Sequence, residues 1–224
     1  MPKETKTKAS QSRNMPNNKG QEFEFEDGAC LLVIRHALCV TADELIEMDK
    51  ILDGLEKQQF KLYGKTCTMH RKQLMFGGKP YKFSRVVVPA HEGDPPALVR
   101  KCMETAGEIV ADTCGCVGGT MNMNAALGVL YGPDDYISPH SDDEPEHSPG
   151  SPIVGFSFGE TRKLVIKRKG LKRRDKEYMQ FKTELPAGSA YVMYGRKFQE
   201  NYTHEVGKGK GTRLSVTVRN FFEI

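Results

Sequence analysis

The residues of this chain best placed to do chemistry are His140 and Asp142, two apart in the run His140-Ser141-Asp142-Asp143-Glu144, together with the distant His204. On extended backbone, successive side chains point to opposite faces. His140 and Asp142 then look the same way, and one imidazole and one carboxylate can share a metal ion. A second histidine completes a two-histidine, one-carboxylate face, which leaves coordination positions open and suits non-heme Fe(II) oxygen chemistry. The closing run Arg213-Leu214-Ser215-Val216-Thr217-Val218-Arg219 alternates strictly, so Arg213, Ser215, Thr217 and Arg219 share one face. A cationic strand face opposite a metal is what a dicarboxylate co-substrate needs. Each piece also has an ordinary reading. The acidic run suits a solvated loop or a calcium ion, although the adjacent histidine disfavours so hard a cation. His204 alone suits a core or surface histidine, and the arginines suit a solvent-facing strand. Their order along the chain favours a site.

These residues need elements to position them. Cys30 to Ile34 reads as a short apolar strand. Thr41-Ala-Asp-Glu44 is a capping box, opening a helix with apolar positions Leu45, Met48, Ile51, Leu52 and Leu55 at helical spacing. A second helix follows Asp94-Pro95-Pro96. Its buried stripe is Leu98, Val99, Cys102, Met103, Ala106, Ile109 and Val110. From about residue 122 the pattern becomes short strands punctuated by glycine, at 125–131, 137–142, 152–158, 162–168, 188–194 and 213–219. Two helices followed by a run of strands suggest an α+β, mainly β protein in which helices support a jelly-roll double sheet.

Composition bounds the rest. The chain has 224 residues, 38% apolar and 28% charged, which fits one soluble domain. It has no long apolar run, so no membrane span is expected, and no apolar leader is seen at the N-terminus. Six scattered cysteines read as reduced thiols of an intracellular protein, and their spacing disfavours zinc. Residues 1–20 form a basic, polar tail expected to be disordered, and their charges account for the whole net charge of +4. Arg162 to Lys176 forms a second basic cluster able to neutralise phosphates or simply to face solvent.

Several motifs occur in order: Tyr131-Gly-Pro-Asp-Asp-Tyr-Ile-Ser-Pro-His140-Ser-Asp142-Asp143-Glu144, Pro152 to Gly159, Leu185-Pro-Ala-Gly188-Ser189, Thr203-His204 and the Arg213-to-Arg219 strand. Upstream lie Tyr63-Gly64-Lys65, Arg71-Lys72-Gln73-Leu-Met-Phe76-Gly77 and Tyr81-Lys-Phe83-Ser84. Together these resemble the AlkB family of Fe(II)/2-oxoglutarate dioxygenases over about residues 55–222, closest to the homologues that repair DNA. The resemblance implies a double-stranded β-helix (jelly roll) with its core at about 122–222 and a nucleotide-recognition lid at about 58–90, in a domain spanning 21–224. It implies Fe(II) and 2-oxoglutarate, with O2, as the chemical partners. The implied reaction is oxidative removal of N-alkyl groups from nucleobases such as 1-methyladenine and 3-methylcytosine, in DNA by preference and with RNA open. Formaldehyde, succinate and CO2 are released.

By the same resemblance His140, Asp142 and His204 hold the iron and Arg213 pairs with the distal carboxylate of 2-oxoglutarate, with Tyr131, Ser215 and Thr217 beside it. Arg219, roughly 20 Å further along the same strand face, should serve the iron-proximal end. Tyr63, Arg71, Gln73, Tyr81, Phe83, Ser84, Asp143 and Glu144 would contact substrate, Tyr63 as a wedge and Tyr81 and Phe83 as a stacking face. Two departures stand out: Val129 and Ser215 occupy positions where the family usually has asparagine, and Asn122 or Asn124 are candidates to compensate. Two other readings are an oxygenase acting on RNA or protein, and a non-catalytic nucleic-acid-binding module. A monomer in the nucleus or cytoplasm is expected, with cellular and viral hosts both open.

Overall fold

The computed structural model describes residues 11–14, 20–25, 27–77, 80–83, 86–114, 121–144, 147, 150–175, 178–195 and 197–221. In chain order the first elements are β1 (Gln11–Asn14), β2 (Gln21–Glu24), β3 (Cys30–Ile34), α1 (Ala42–Asp53), β4 (Gln59–Leu62) and β5 (Lys65–Thr68). Next come β6 (Lys72–Phe76), β7 (Tyr81–Phe83), β8 (Val86–Val88), α2 (Ala97–Cys114), β9 (Ala125–Tyr131) and β10 (Ile137–His140). The chain closes with β11 (Ile153–Gly159), β12 (Arg162–Arg168), β13 (Gln180–Leu185), β14 (Ser189–Tyr194), α3 (Phe198–Asn201), β15 (Tyr202–Val206) and β16 (Arg213–Arg219).

Eight strands form a major sheet in the order β1-β2-β3-β14-β11-β16-β9-β6, and four form a minor sheet in the order β10-β15-β12-β13. The hairpins β4–β5 and β7–β8 stand apart as two-stranded sheets. α1 begins where its cap dictates. The Glu44 amide donates to Thr41 Oγ1 at 3.2 Å and the Thr41 amide donates to the Glu44 carboxylate at 2.8 Å. Both apolar helix stripes pack on one face of the major sheet, against Leu214, Val216 and Val218 of β16 and Val154, Phe156 and Phe158 of β11. The other face meets the minor sheet through Leu31, Val33, Ile153, Leu164, Ile166 and Leu185. Strict alternation on β16 therefore has a physical cause. One face serves the helix-backed core, and the other, bearing both arginines, looks between the sheets.

Two expectations change. Gln11–Asn14, within the stretch read as a disordered tail, pairs with β2 in antiparallel register; a ladder needs only backbone groups, so polar composition does not forbid it. The remaining residues of 1–19 lie outside the described residues. Arg162 is not part of an exposed basic cluster. It is buried, and its guanidinium donates to Glu160 and to the carbonyls of Gly132, Asp135, Gly207 and Gly211 at 2.7–3.2 Å. It thus ties the loops flanking β9 and β15 together. Lys167 pairs with Glu205, and Lys169 with Asp143 and the Gln199 carbonyl. Lys172, Arg173 and Arg174 are left exposed at the hairpin tip, while Lys176 lies outside the described residues. No helix among the described residues is long and apolar enough to cross a membrane.

Candidate active site

His140 at the end of β10 lies directly across from His204 on β15. Paired residues of an antiparallel ladder share a face, and the two rings sit with centroids 4.1 Å apart. Asp142 follows just past the strand. Its amide donates to Gln199 Oε1 at 3.0 Å, and Ser141 Oγ donates to the Tyr202 carbonyl at 2.8 Å, which pins the turn. The carboxylate lies 3.5 Å from His140 Nε2 and 4.0 Å from His204 Nε2. The three donor atoms fall within 4.8 Å of one another. His140 Nδ1 lies 2.9 Å from the Ser138 carbonyl. With the proton there, the Nε2 lone pair faces Asp142, which is how a second partner orients a metal-binding imidazole.

The protonation states suit a cation. Burial lowers the His140 pKa, and burial followed by the nearby His140 lowers that of His204 to about 3. Burial alone would raise Asp142, but Arg219 and the two histidines outweigh it and hold the carboxyl well below its usual range. Arg219 Nη2 donates to Asp142 Oδ2 at 2.7 Å. Two neutral imidazoles and one carboxylate, with room on the open side, fit Fe(II).

That open side is a cavity of about 450 Å³ between the sheets, lined by Tyr131, His140, Asp142, His204, Arg213, Ser215, Thr217 and Arg219 among others. Arg213 is 1% exposed; its Nε donates to Ser157 Oγ at 2.9 Å, and its guanidinium lies 5.1 Å from the centre of the Tyr131 ring, opposite it on β9. Arg213 Nη1 and Arg219 Nε and Nη1 have no hydrogen-bond partner among the described residues. Buried N–H groups of a charged side chain left unpaired cost several kcal/mol, and a dicarboxylate satisfies them. Arg219 stands beside the imidazole–carboxylate cluster and Arg213 away from it, as their spacing on one strand face predicts.

The structure sorts the expected substrate residues. Arg71, Tyr81 and Glu144 line the cavity. Tyr81 hydrogen-bonds Glu144, lies under the Arg219 guanidinium at 5.6 Å and stacks on Phe221 at 5.7 Å. Glu144 Oε2 is buried without a partner among the described residues, and burial raises its pKa. Tyr63 sits at the β4–β5 tip, 94% exposed, at φ 49°. Gln73 is fully buried on β6 opposite Val129 and does not line the cavity; its face is the right one, but the sheet is covered there. Asp143 turns outward to Lys169 at 3.4 Å. Phe83 lies on β7 opposite Val86, and Ser84 lies outside the described residues. Val129 and Ser215 are cross-strand partners, both lining the cavity. Neither proposed substitute for an asparagine reaches them. The amide of Asn124 is spent on both backbone groups of Phe221 at 2.8 Å, and Asn122 is exposed. Sequence reading missed Gln199, Ser141 and Tyr191, whose roles depend on what lies across the fold.

The family model of the 2OG-Fe(II) oxygenase superfamily matches residues 55–219. The DNA oxidative demethylase ALKBH2 of Homo sapiens is 27% identical over 188 residues, 77% of this chain and 68% of that protein. The protein of the same name from Mus musculus is 30% identical over 161 residues, 66% of this chain and 63% of that one. The solved structure of OsALKBH1 has a TM-score of 0.56 over 85% of this chain and 97% of that chain, at 15% identity. A 2OG-Fe(II) oxygenase family oxidoreductase from Burkholderia pseudomallei has a TM-score of 0.51 over 84% of each chain, at 12% identity. At such identities the two structures speak for the fold alone, which is the mainly β jelly roll of these oxygenases. The chain belongs to the 2OG-Fe(II) oxygenase superfamily, in its AlkB-like branch, and is a dioxygenase using Fe(II) and 2-oxoglutarate.

Proposed function

We propose that this oxygenase removes N-alkyl groups from nucleobases such as 1-methyladenine and 3-methylcytosine, in DNA first and with RNA open, releasing formaldehyde, succinate and CO2. One observation carries the reading. Beside the imidazole–carboxylate cluster the cavity holds a half-buried acid, Glu144, whose buried Oε2 has no hydrogen-bond partner among the described residues. Its other close partner is the Tyr81 hydroxyl. A carboxylate so placed accepts from an exocyclic amine and favours a cationic alkylated base, and the Tyr81 ring offers it an apolar face. A base inside a duplex cannot reach this point, so it enters extruded or from a single strand. The exposed Tyr63 at the tip of β4–β5 suits the gap that extrusion leaves.

His140, Asp142 and His204 would hold the metal, which when bound supplies the oxygen activation and C–H oxidation that the side chains cannot. Arg213 would hold the distal carboxylate of 2-oxoglutarate through paired N–H donors, with Tyr131, Ser215 and Thr217 around it. Arg219 keeps Asp142 ionised and fixed in place. No side chain need shuttle a proton. We read the protein as an intracellular monomer, nuclear or cytoplasmic. The test is a formaldehyde and succinate assay on methylated single- and double-stranded DNA and RNA, beside His204→Ala. Matched release of both products from methylated oligonucleotides, lost in the variant, is expected. No turnover of any methylated oligonucleotide with Fe(II) and 2-oxoglutarate present would overturn the reading.

A further inference from the structure

Tyr191 on β14 stands out among the cavity-lining residues because nothing in its own strand explains it. Its neighbours across the inter-sheet face are Val33 on β3 and Gly155 on β11, and Gly155 in turn faces Thr217 on β16. Gly155 has no side chain, and a Cβ there would overlap the phenol ring and its hydroxyl. The ring therefore lies flat over the glycine and carries its hydroxyl from β14 across β11 towards β16. There it emerges in the cavity wall although the residue as a whole is buried. Arg213 folds back the other way along β16, its Nε reaching Ser157, which pairs with Ser215 one row from Gly155 and Thr217. The phenol and the unpartnered Arg213 Nη1 thus address the same part of the cavity. Arg213 is the charge that acts on the phenol most strongly, ahead of Asp142, and burial pushes the hydroxyl up to about 12, so it remains an O–H donor at any working pH.

The remaining small groups on this floor are the hydroxyls of Ser157, Ser215 and Thr217 and the apolar Val129. None of them reaches as far from its backbone as a phenol does. Resting on the reading that Arg213 anchors 2-oxoglutarate, we propose that Tyr191 is a positioning residue for the co-substrate. Its hydroxyl donates a hydrogen bond to the carboxylate that Arg213 holds, and Gly155 is the vacancy in the sheet that lets it do so. A donor fixed by a rigid ring across a packed sheet loses little freedom on binding, which makes it a better anchor than a flexible side chain.

The experiment measures N-oxalylglycine binding to the Mn(II)-loaded full chain by calorimetry, with Co(II) absorption titrations in parallel. Tyr191→Phe keeps the ring and the fold, and should raise the N-oxalylglycine Kd about 10- to 100-fold while leaving the Co(II) spectrum and affinity as in the wild type. Gly155→Ala pushes the ring away, and Gly155→Ala with Tyr191→Val relieves the clash without restoring the hydroxyl; both should bind N-oxalylglycine as weakly as Tyr191→Phe. Wild-type binding retained in Tyr191→Phe overturns the inference, as does a parallel loss of Co(II) affinity, which would mark a merely structural role. Failure of the wild type itself to bind N-oxalylglycine would instead overturn the assignment of the cavity.

Discussion

Replacing each β16 arginine by methionine should have opposite consequences for the apo protein. Arg219 and Asp142 are 3% and 2% exposed and joined at 2.7 Å. Arg219→Met leaves the Asp142 carboxylate buried beside two imidazoles that are neutral at pH 7, and losing one member of a buried pair costs about 3–5 kcal/mol. Arg213 is equally buried, but its partners among the described residues are the Ser157 hydroxyl and the Tyr131 ring, both neutral. Arg213→Met therefore removes a charge that nothing balances. Apo stability should change by less than about 1 kcal/mol, or rise, as when buried ionic groups give way to apolar ones of similar shape. The same substitution should weaken 2-oxoglutarate by about 2–5 kcal/mol, roughly 30- to several-thousand-fold at about 1.4 kcal/mol per decade. Urea unfolding of the apo protein and N-oxalylglycine calorimetry on the Mn(II) form measure the two quantities. Equal destabilisation by both substitutions, or full affinity in Arg213→Met, would refute the division of labour.

His204→Ala should weaken Co(II) or Fe(II) by more than about 100-fold, since even removing an outer-shell partner costs up to that much; Co(II) absorption titration measures it. Apo stability should fall in mild acid. In the folded chain burial lowers His147 to about 4, and burial with the neighbouring His140 lowers His204 to about 3, against 6.5 when unfolded. The unfolded chain thus takes up protons first. Stability is complete above pH 6.5 and is lost as pH drops towards 4 and 3. Urea midpoints between pH 8 and 5 check this, and a flat profile would count against the burial of both rings. Tyr63→Ala, at a site 94% exposed, should shift stability by no more than about 0.5 kcal/mol yet lower turnover on duplex relative to single-stranded substrate. An unchanged ratio of the two rates would remove Tyr63 from the wedge role.

What could be read from the sequence was whatever one element decides by itself. The capping box at Thr41 marked α1, the helical stripes marked two buried faces, and the alternation from Arg213 to Arg219 separated a helix-packed face from one that looks into the space between the sheets. Asp142 falls two residues from His140, but the strand expected to run to 142 ends at His140, and contacts to Gln199 and Tyr202 set the direction of the carboxylate instead. The misses share a different cause. β13 and β15 are short and polar on one side, so the strand that carries His204 declares itself only by pairing with β10 and β12. Arg162 sits in a basic run, and only the convergence of four loop carbonyls shows why its charge is buried. Periodicity assigned Gln73 to the correct face but could not tell that this part of the face is covered.

The floor of the cavity carries the same point into function. Val129, Ser215 and Ser157 lie side by side on β9, β16 and β11, so the two positions where the resemblance leads one to expect asparagine form one local patch in three dimensions. One row away Gly155 gives up its side chain and Tyr191 extends over it. Each of these five residues is unremarkable on its own strand. On the reading proposed above, they exchange the expected short amides for a long donor that enters from the next strand. A sheet can make that exchange cheaply, because a glycine and a tyrosine in register cost no change of backbone.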